Sequence, residues 1–188
     1  LQREHTPEQE KEYLAVLDRQ AHKLKKLTVD LVEMSKASTG NIPCHIARRS
    51  VRELIDQTVG EYAERLALAQ LEPVVTLPDE ELYCLCDGAL LWRVFDNLFS
   101  NACKYACAGT RLYIGAKRIG DTVEFTFKNI SRDALNIDPD ELMERFVRGD
   151  SSRTTEGSGL GLNIAKSLVE LQKGTFSLAI DGDLFKVS

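Results

Sequence analysis

Leucines recur every seven positions near the start of this chain, at Leu17, Leu24 and Leu31, with Tyr13, Gln20, Leu27 and Met34 in the complementary heptad places. A seam with that period predicts one long helix over residues 8–39 that wants a partner helix, because a strict seven-residue repeat keeps one apolar line turned to a neighbour. Pro7 suits its first turn, where a missing amide proton costs little, and Gly40-Asn41 suit its end. Lys and Glu cover the other faces, so the helix reads as a stalk for a bundle or dimer rather than as packing on its own domain.

Beyond residue 41 the period changes. Ile42, Cys44 and Ile46 alternate as a short strand would. Residues 50–69 place Val51, Leu54, Ile55, Val59, Tyr62, Ala63 and Leu66 on one helical stripe. Strands are predicted at about 72–77 and 82–86, and a second helix over 88–107 with Leu91, Val94, Phe95, Leu98 and Ala102 on its apolar face. Ile119-Gly120-Asp121 marks a hairpin between strands at about 110–118 and 121–129. Residues 131–158 are polar and read as a long loop holding a short helix near Glu141–Phe146; loops of that length in compact domains usually act as lids. A helix at 159–172 and a hairpin at 174–187, turning at Asp181-Gly182-Asp183, complete the pattern. The fold class is therefore α+β: a helical stalk over residues 1–40, then a two-layer α/β sandwich over 41–188.

Composition adds limits rather than a function. With 43% hydrophobic and 28% charged residues the chain can bury a core, and a net charge of -5 without a basic stripe argues against nucleic acid as a partner. No apolar run nears the roughly 18 residues of a membrane span. The five cysteines include no C-x-x-C pair. Cys84 and Cys86 should share a strand face and Cys103 and Cys107 a helix face, so a zinc site from the four is one reading. Free thiols in a reducing compartment are the reading preferred.

The chemistry sits in two segments. In Asn97-Leu-Phe-Ser-Asn-Ala-Cys-Lys-Tyr105, two carboxamides stand one turn apart on a helix, followed by an ammonium and a phenol. Asn97 and Asn101, at i and i+4, share a face distinct from the apolar one. Magnesium takes hard oxygen ligands and completes its shell with water and substrate phosphates, so neutral amide oxygens leave a triphosphate as the counter-charge. Lys104 supplies a cation to phosphate and Tyr105 a ring and hydroxyl beside the nucleotide. The second segment, Gly157-Ser158-Gly159-Leu160-Gly161, opens into a helix. Helix amino ends hold phosphate through free N–H groups and the positive end of the dipole, and glycine lets backbone approach an anion closely. Together the two segments predict a site for a nucleoside triphosphate and its magnesium ion.

These segments carry a resemblance. Asn97–Tyr105 is similar to the N box of sensor histidine kinases, Glu144–Asp150 (E-R-F-V-R-G-D) to their F box, and Gly157–Leu162 to their G2 box, in the same order and with Asp87 and Arg93 leading into the first. The resemblance implies a Bergerat-type ATP-binding fold, shared with gyrase and Hsp90-like ATPases, over 41–188, and the second helix of a dimerisation and phosphotransfer hairpin over 1–40. It implies ATP and magnesium as ligands, with Asn101 the principal metal ligand and Asn97 its assistant. It implies that Lys104 and Tyr105 contact phosphate and ribose or base, that Phe146 anchors a mobile lid and that Arg148 approaches phosphate. Gly157, Gly159 and Gly161, with the Ser158 and Leu160 amides, would wrap the triphosphate. It further implies a homodimer through the helical region, a response-regulator partner in a phosphorelay, and a cytoplasmic position in a parent protein anchored to the membrane through segments outside this chain.

Two departures from the family pattern stand out. The family carries D-x-G-x-G after the strand at 121–129, its aspartate accepting from the adenine amino group; here Asn129 occupies that place and no glycine follows. A carboxamide oxygen can still accept that hydrogen bond, without the charge. None of His5, His22 and His45 matches the family's acceptor pattern: His5 reads as an inter-helix loop, His22 lies on the stalk and His45 in the strand at 42–46. The acceptor histidine is therefore expected upstream of Leu1, in a longer protein of which this chain is a piece. Rival readings are another ATPase or a serine kinase on the same fold, or a scaffold that binds no nucleotide.

Overall fold

The computed structural model describes residues 7–38, 42–135, 137–143 and 159–188. Helix α1 (Pro7–Ser38) is followed by strand β1 (Ala47–Ser50), helix α2 (Val51–Leu68), strands β2 (Glu72–Thr76) and β3 (Tyr83–Cys86), and helix α3 (Gly88–Tyr105). Strands β4 (Arg111–Ile119) and β5 (Thr122–Ile130), the short helix α4 (Pro139–Leu142), helix α5 (Gly161–Leu171) and strands β6 (Leu178–Asp181) and β7 (Leu184–Val187) complete the chain.

A five-stranded mixed sheet, in the order β2-β4-β5-β7-β6, forms one layer, with β2 parallel to β4 and every other neighbour antiparallel. A separate antiparallel pair joins β1 to β3, with Ala47 opposite Cys86 and Arg49 opposite Cys84. The helices form the second layer, and the core lies between. Period-two alternation turns Phe125 and Phe127 of β5 toward the helices, where Phe95 lies 5.3 Å from both rings and Phe99 lies 5.8 Å from Phe127. Tyr62 of α2 stacks at 5.1 Å on Phe99 and donates its hydroxyl proton to Asp96 Oδ1 at 2.6 Å, tying α2 to α3. Burial first, and then that carboxylate partner, push the Tyr62 phenol well above its ordinary pKa.

Three sequence expectations change. Residues 42–46 form no strand, and His45 lies outside any element; β1 begins at Ala47, and the His45 N–H goes to the Asp87 carboxylate at 2.7 Å instead of to a ladder. Helix α3 stops at Tyr105, because Ala106 bridges to Ser131 and Cys107 N–H donates to Ile130 O, so Cys103 and Cys107 do not share a helix face. The final hairpin begins at Leu178 rather than at 174. The short helix predicted near Glu141–Phe146 is α4 as far as Leu142; Glu144–Asp150, and with them Phe146 and Arg148, lie outside the described residues, as does His5.

The stalk is as continuous as its heptads require. Leu17 and Leu24 are 64% and 66% exposed, and Tyr13 and Leu31 are also exposed, so the seam faces solvent. On another face, Asp30 and Ala37 are buried where the end of α1 meets α5. His22 is exposed, its Nδ1 3.0 Å from the carbonyl of Asp18 one turn back.

Candidate functional site

Helix α3 begins on a strong cap. Asp87 accepts the N–H groups of Ala89 at 2.9 Å and Leu90 at 3.1 Å through Oδ1, and that of His45 through Oδ2. Burial opposes ionisation of Asp87, but these three backbone donors prevail and hold its carboxyl below the usual carboxylate value. Asp87 N–H in turn donates to Gln172 Oε1, just past the end of α5, at 2.8 Å. Gln172 is a fastening for which the sequence offers no pattern.

The two helices are thereby antiparallel neighbours, pinned at one end by Asp87 and Gln172 and meeting at the other where Asn97 faces Gly161. Asn97 Nδ2 donates to Arg93 O at 2.9 Å, which leaves Oδ1 directed at the first residue of α5. A methyl group placed on Gly161 would lie 3.0 Å from that oxygen, tighter than ordinary contact. Gly161 thus answers to a close approach. Gly159, with φ of 72°, occupies the left-handed region that a side chain would strain. Between them Leu160 is fully buried and anchors the turn in the core. The amino end of α5 has no side-chain hydrogen bond from its cap residue Leu160 and no acidic residue in its first turn, so no carboxylate there opposes the positive end of the helix dipole.

Asn101, one turn beyond Asn97 on the same half-buried face, makes no side-chain hydrogen bond among the described residues. Lys104 and Tyr105, also half-buried, extend that face into the last turn of α3. There Tyr105 O accepts from Arg132 N–H at 2.8 Å, which holds the helix end against the end of β5. Asn129, 7% exposed, lies two residues past Phe127 and so faces the helix layer at that same end. The structure therefore brings Asn97 against Gly161, with Gly159 and Leu160 just before it, and sets Asn101, Lys104 and Tyr105 further along α3, with Asn129 beside the end of that helix. Gly157 and Ser158 fall outside the described residues. Among the described residues no group of three or more His, Cys, Asp or Glu side chains could hold a metal ion.

An open mixed sheet backed by antiparallel helices, with carboxamides beside an uncapped helix amino end, defines an ATPase-type catalytic domain. The chain belongs to the family described as histidine kinase-, DNA gyrase B- and HSP90-like ATPases, whose model matches residues 86–184. Its curated relatives include the signal transduction histidine-protein kinase BaeS of Escherichia coli, 32% identical over 87% of this chain and 35% of that protein. The sensor histidine kinase WalK of Bacillus subtilis is 26% identical over 86% of this chain and 27% of that protein. The chain thus spans about a third of the length of the curated relatives it matches. Among solved structures, the full-length ShkA complex with AMPPNP superposes with a TM-score of 0.76 at 22% identity, over 98% of this chain and 39% of that one. The Acinetobacter baumannii histidine kinase AdeS superposes with a TM-score of 0.69 at 18% identity, over 98% of this chain and 84% of that one. Histidine kinase ThkA, solved in complex with the response regulator protein TrrA, superposes with a TM-score of 0.71 at 18% identity, over 98% and 52% of the two chains. The fold is that of histidine kinase catalytic domains.

Proposed function

We propose that this chain is the ATP-binding catalytic part of a sensor histidine kinase, and that the Asn97–Gly161 contact marks where magnesium-bound triphosphate is held. The donor set suits the ion: Asn97 Oδ1 and Asn101 offer hard, neutral oxygens, which fit magnesium when phosphates complete its shell. Bound there, magnesium would neutralise charge on the β- and γ-phosphates. The residues of the chain do the positioning. The Leu160 and Gly161 amides at the start of α5, with those of Gly157, Ser158 and Gly159, receive phosphate oxygens, and the absent Cβ at Gly161 leaves room for them beside Asn97. Lys104 adds a cation, Tyr105 flanks ribose or base, and Asn129 accepts from the adenine amino group at the foot of the pocket. Phe146 and Arg148, which the family pattern assigns to the nucleotide, lie outside the described residues.

In the intact protein the bond between the β,γ-bridging oxygen and the γ-phosphorus breaks, a phosphorus–nitrogen bond forms to a histidine imidazole outside this chain, and ADP leaves. The phosphoryl group then passes to an aspartate on a response-regulator receiver domain. Residues 1–40 would be the second helix of the dimerisation hairpin and 41–188 the catalytic domain. The exposed Leu17–Leu24–Leu31 seam supports a homodimer through α1. A cytoplasmic domain tethered to a membrane by other segments completes the reading. No helix among the described residues is long and apolar enough to cross a membrane.

The test is a version extended upstream of Leu1 to include a histidine-bearing helix, incubated with γ-labelled ATP and magnesium. Acid-labile, base-stable label on that helix is the expected result. Acid-stable label, or ATP hydrolysis without label, would assign a different reaction to the same fold.

A further inference from the structure

Strand β3 carries Cys84 and Cys86 at alternate positions, so both thiols leave the same face, and their sulfurs lie 3.5 Å apart. Cys86 is 6% exposed and belongs to the core, whereas Cys84 is half-buried at its edge, so the pair is reached from solvent on one side only. Arg49 stands opposite Cys84 in the β1–β3 register, and its Nε lies 3.3 Å from the position a Cβ would take on Gly88, which sets a cation along the thiol face. No part of the nucleotide site uses these groups.

Two contacting thiols can close as a disulfide or grip one ion, and the backbone decides between them. Residues i and i+2 of a strand are separated by roughly 6.6 Å, near the upper limit of about 6.8 Å for disulfide-bonded Cα atoms, so closure would bow β3. A single ion bonded to both sulfurs at about 2.3 Å spans the existing 3.5 Å with a sulfur–ion–sulfur angle of about 100° and needs no strand movement. That bent angle suits a pyramidal, three-coordinate centre better than a linear one. With no further His, Cys, Asp or Glu in reach among the described residues, the third position opens to solvent.

We propose that Cys84 and Cys86 form a two-sulfur chelating site for a thiophilic cation of the trivalent-arsenic class. Loading is a condensation without redox change: an arsenic(III) oxide or hydroxide exchanges its oxygen ligands for two thiolates, the two thiol protons leave in water, and arsenic stays trivalent. Soft thiolate donors select such ions over the hard cation of the nucleotide site. The chelate would sit immediately before Asp87, the cap of the helix that carries Asn97 and Asn101.

Phenylarsine oxide, added in stoichiometric amount to the folded chain and followed by native mass spectrometry, tests this. One phenylarsenic group per chain, with loss of one water, is expected in the wild type and in Cys44→Ser, Cys103→Ser and Cys107→Ser. Cys84→Ser, at the half-buried position that best tolerates change, should keep its thermal transition and weaken the adduct roughly a hundredfold, as losing one arm of a chelate does. Cys86→Ser should do the same where it folds. An adduct of unchanged strength in folded Cys84→Ser, or no adduct in the wild type, overturns the proposal.

Discussion

Asn97 and Gly161, sixty-four positions apart in sequence, meet so closely that one methyl group on the glycine would press on the carboxamide oxygen at 3.0 Å. The contact joins the helix bearing Asn97 and Asn101 to the amino end of α5, while Asp87 N–H donates to Gln172 Oε1 at the opposite end of α5. For Gly161→Ala we expect ATP affinity to fall roughly tenfold, or 1.4 kcal/mol, as Asn97 is displaced. Stability should change by less than about 1 kcal/mol, since alanine also restricts the unfolded chain. Calorimetric titration together with thermal melting would separate the two effects.

Asp87 gives a pH dependence with a definite sign. Its folded carboxyl titrates below the ordinary value because three backbone N–H groups favour the charged form despite burial. The stability it contributes is therefore complete above the unfolded pKa of about 3.9 and is lost as pH falls through the lower folded value. Asp87→Ala should cost about 1–2 kcal/mol at neutral pH and flatten the acid limb of a stability-against-pH curve measured by denaturant unfolding. An acid limb as steep as the wild type's would exclude Asp87 as its source.

Leu24 separates folding from assembly. It is 66% exposed at the middle of the heptad seam, so Leu24→Lys should leave the domain's stability within about 0.5 kcal/mol. In the proposed homodimer, a charge in the paired seam should nevertheless abolish self-association through α1, as read by sedimentation equilibrium.

Asn129 is buried on the helix-facing side of β5. Asn129→Asp should sharpen selection of ATP over GTP several-fold, because a carboxylate accepts from the adenine amino group but repels a guanine carbonyl. Burying a carboxylate should also lower stability by about 1–3 kcal/mol. Parallel titrations with the two nucleotides measure the first effect and urea unfolding the second.

The helices and most strands were legible because their signals are local. The stripe from Val51 to Leu66 and the face from Leu91 to Ala102 each pack one side of a helix, and the Ile119-Gly120-Asp121 turn follows from residue type alone. The strand read at Ile42–Ile46 failed because alternation cannot tell which residues find a ladder: His45 gave its N–H to a carboxylate 42 residues away. The end of α3 was overrun for the same reason, since the pairing of Ala106 with Ser131 is a tertiary choice. In the site, the residue types of Asn97, Asn101 and Gly159–Gly161 pointed to a phosphate and its metal. The meeting of Asn97 with Gly161, and the Asp87–Gln172 hydrogen bond at the other end of α5, depend on contacts no local pattern encodes.

The sharpest measurement is the magnesium dependence of ATP binding, by calorimetry, in the wild type and in Asn101→Ala. We expect magnesium to raise wild-type affinity and the variant to lose most of that gain, with its melting temperature within a few degrees and its magnesium-free affinity little changed. A variant that keeps the full magnesium-dependent gain would contradict a metal-bridged triphosphate held between α3 and the amino end of α5.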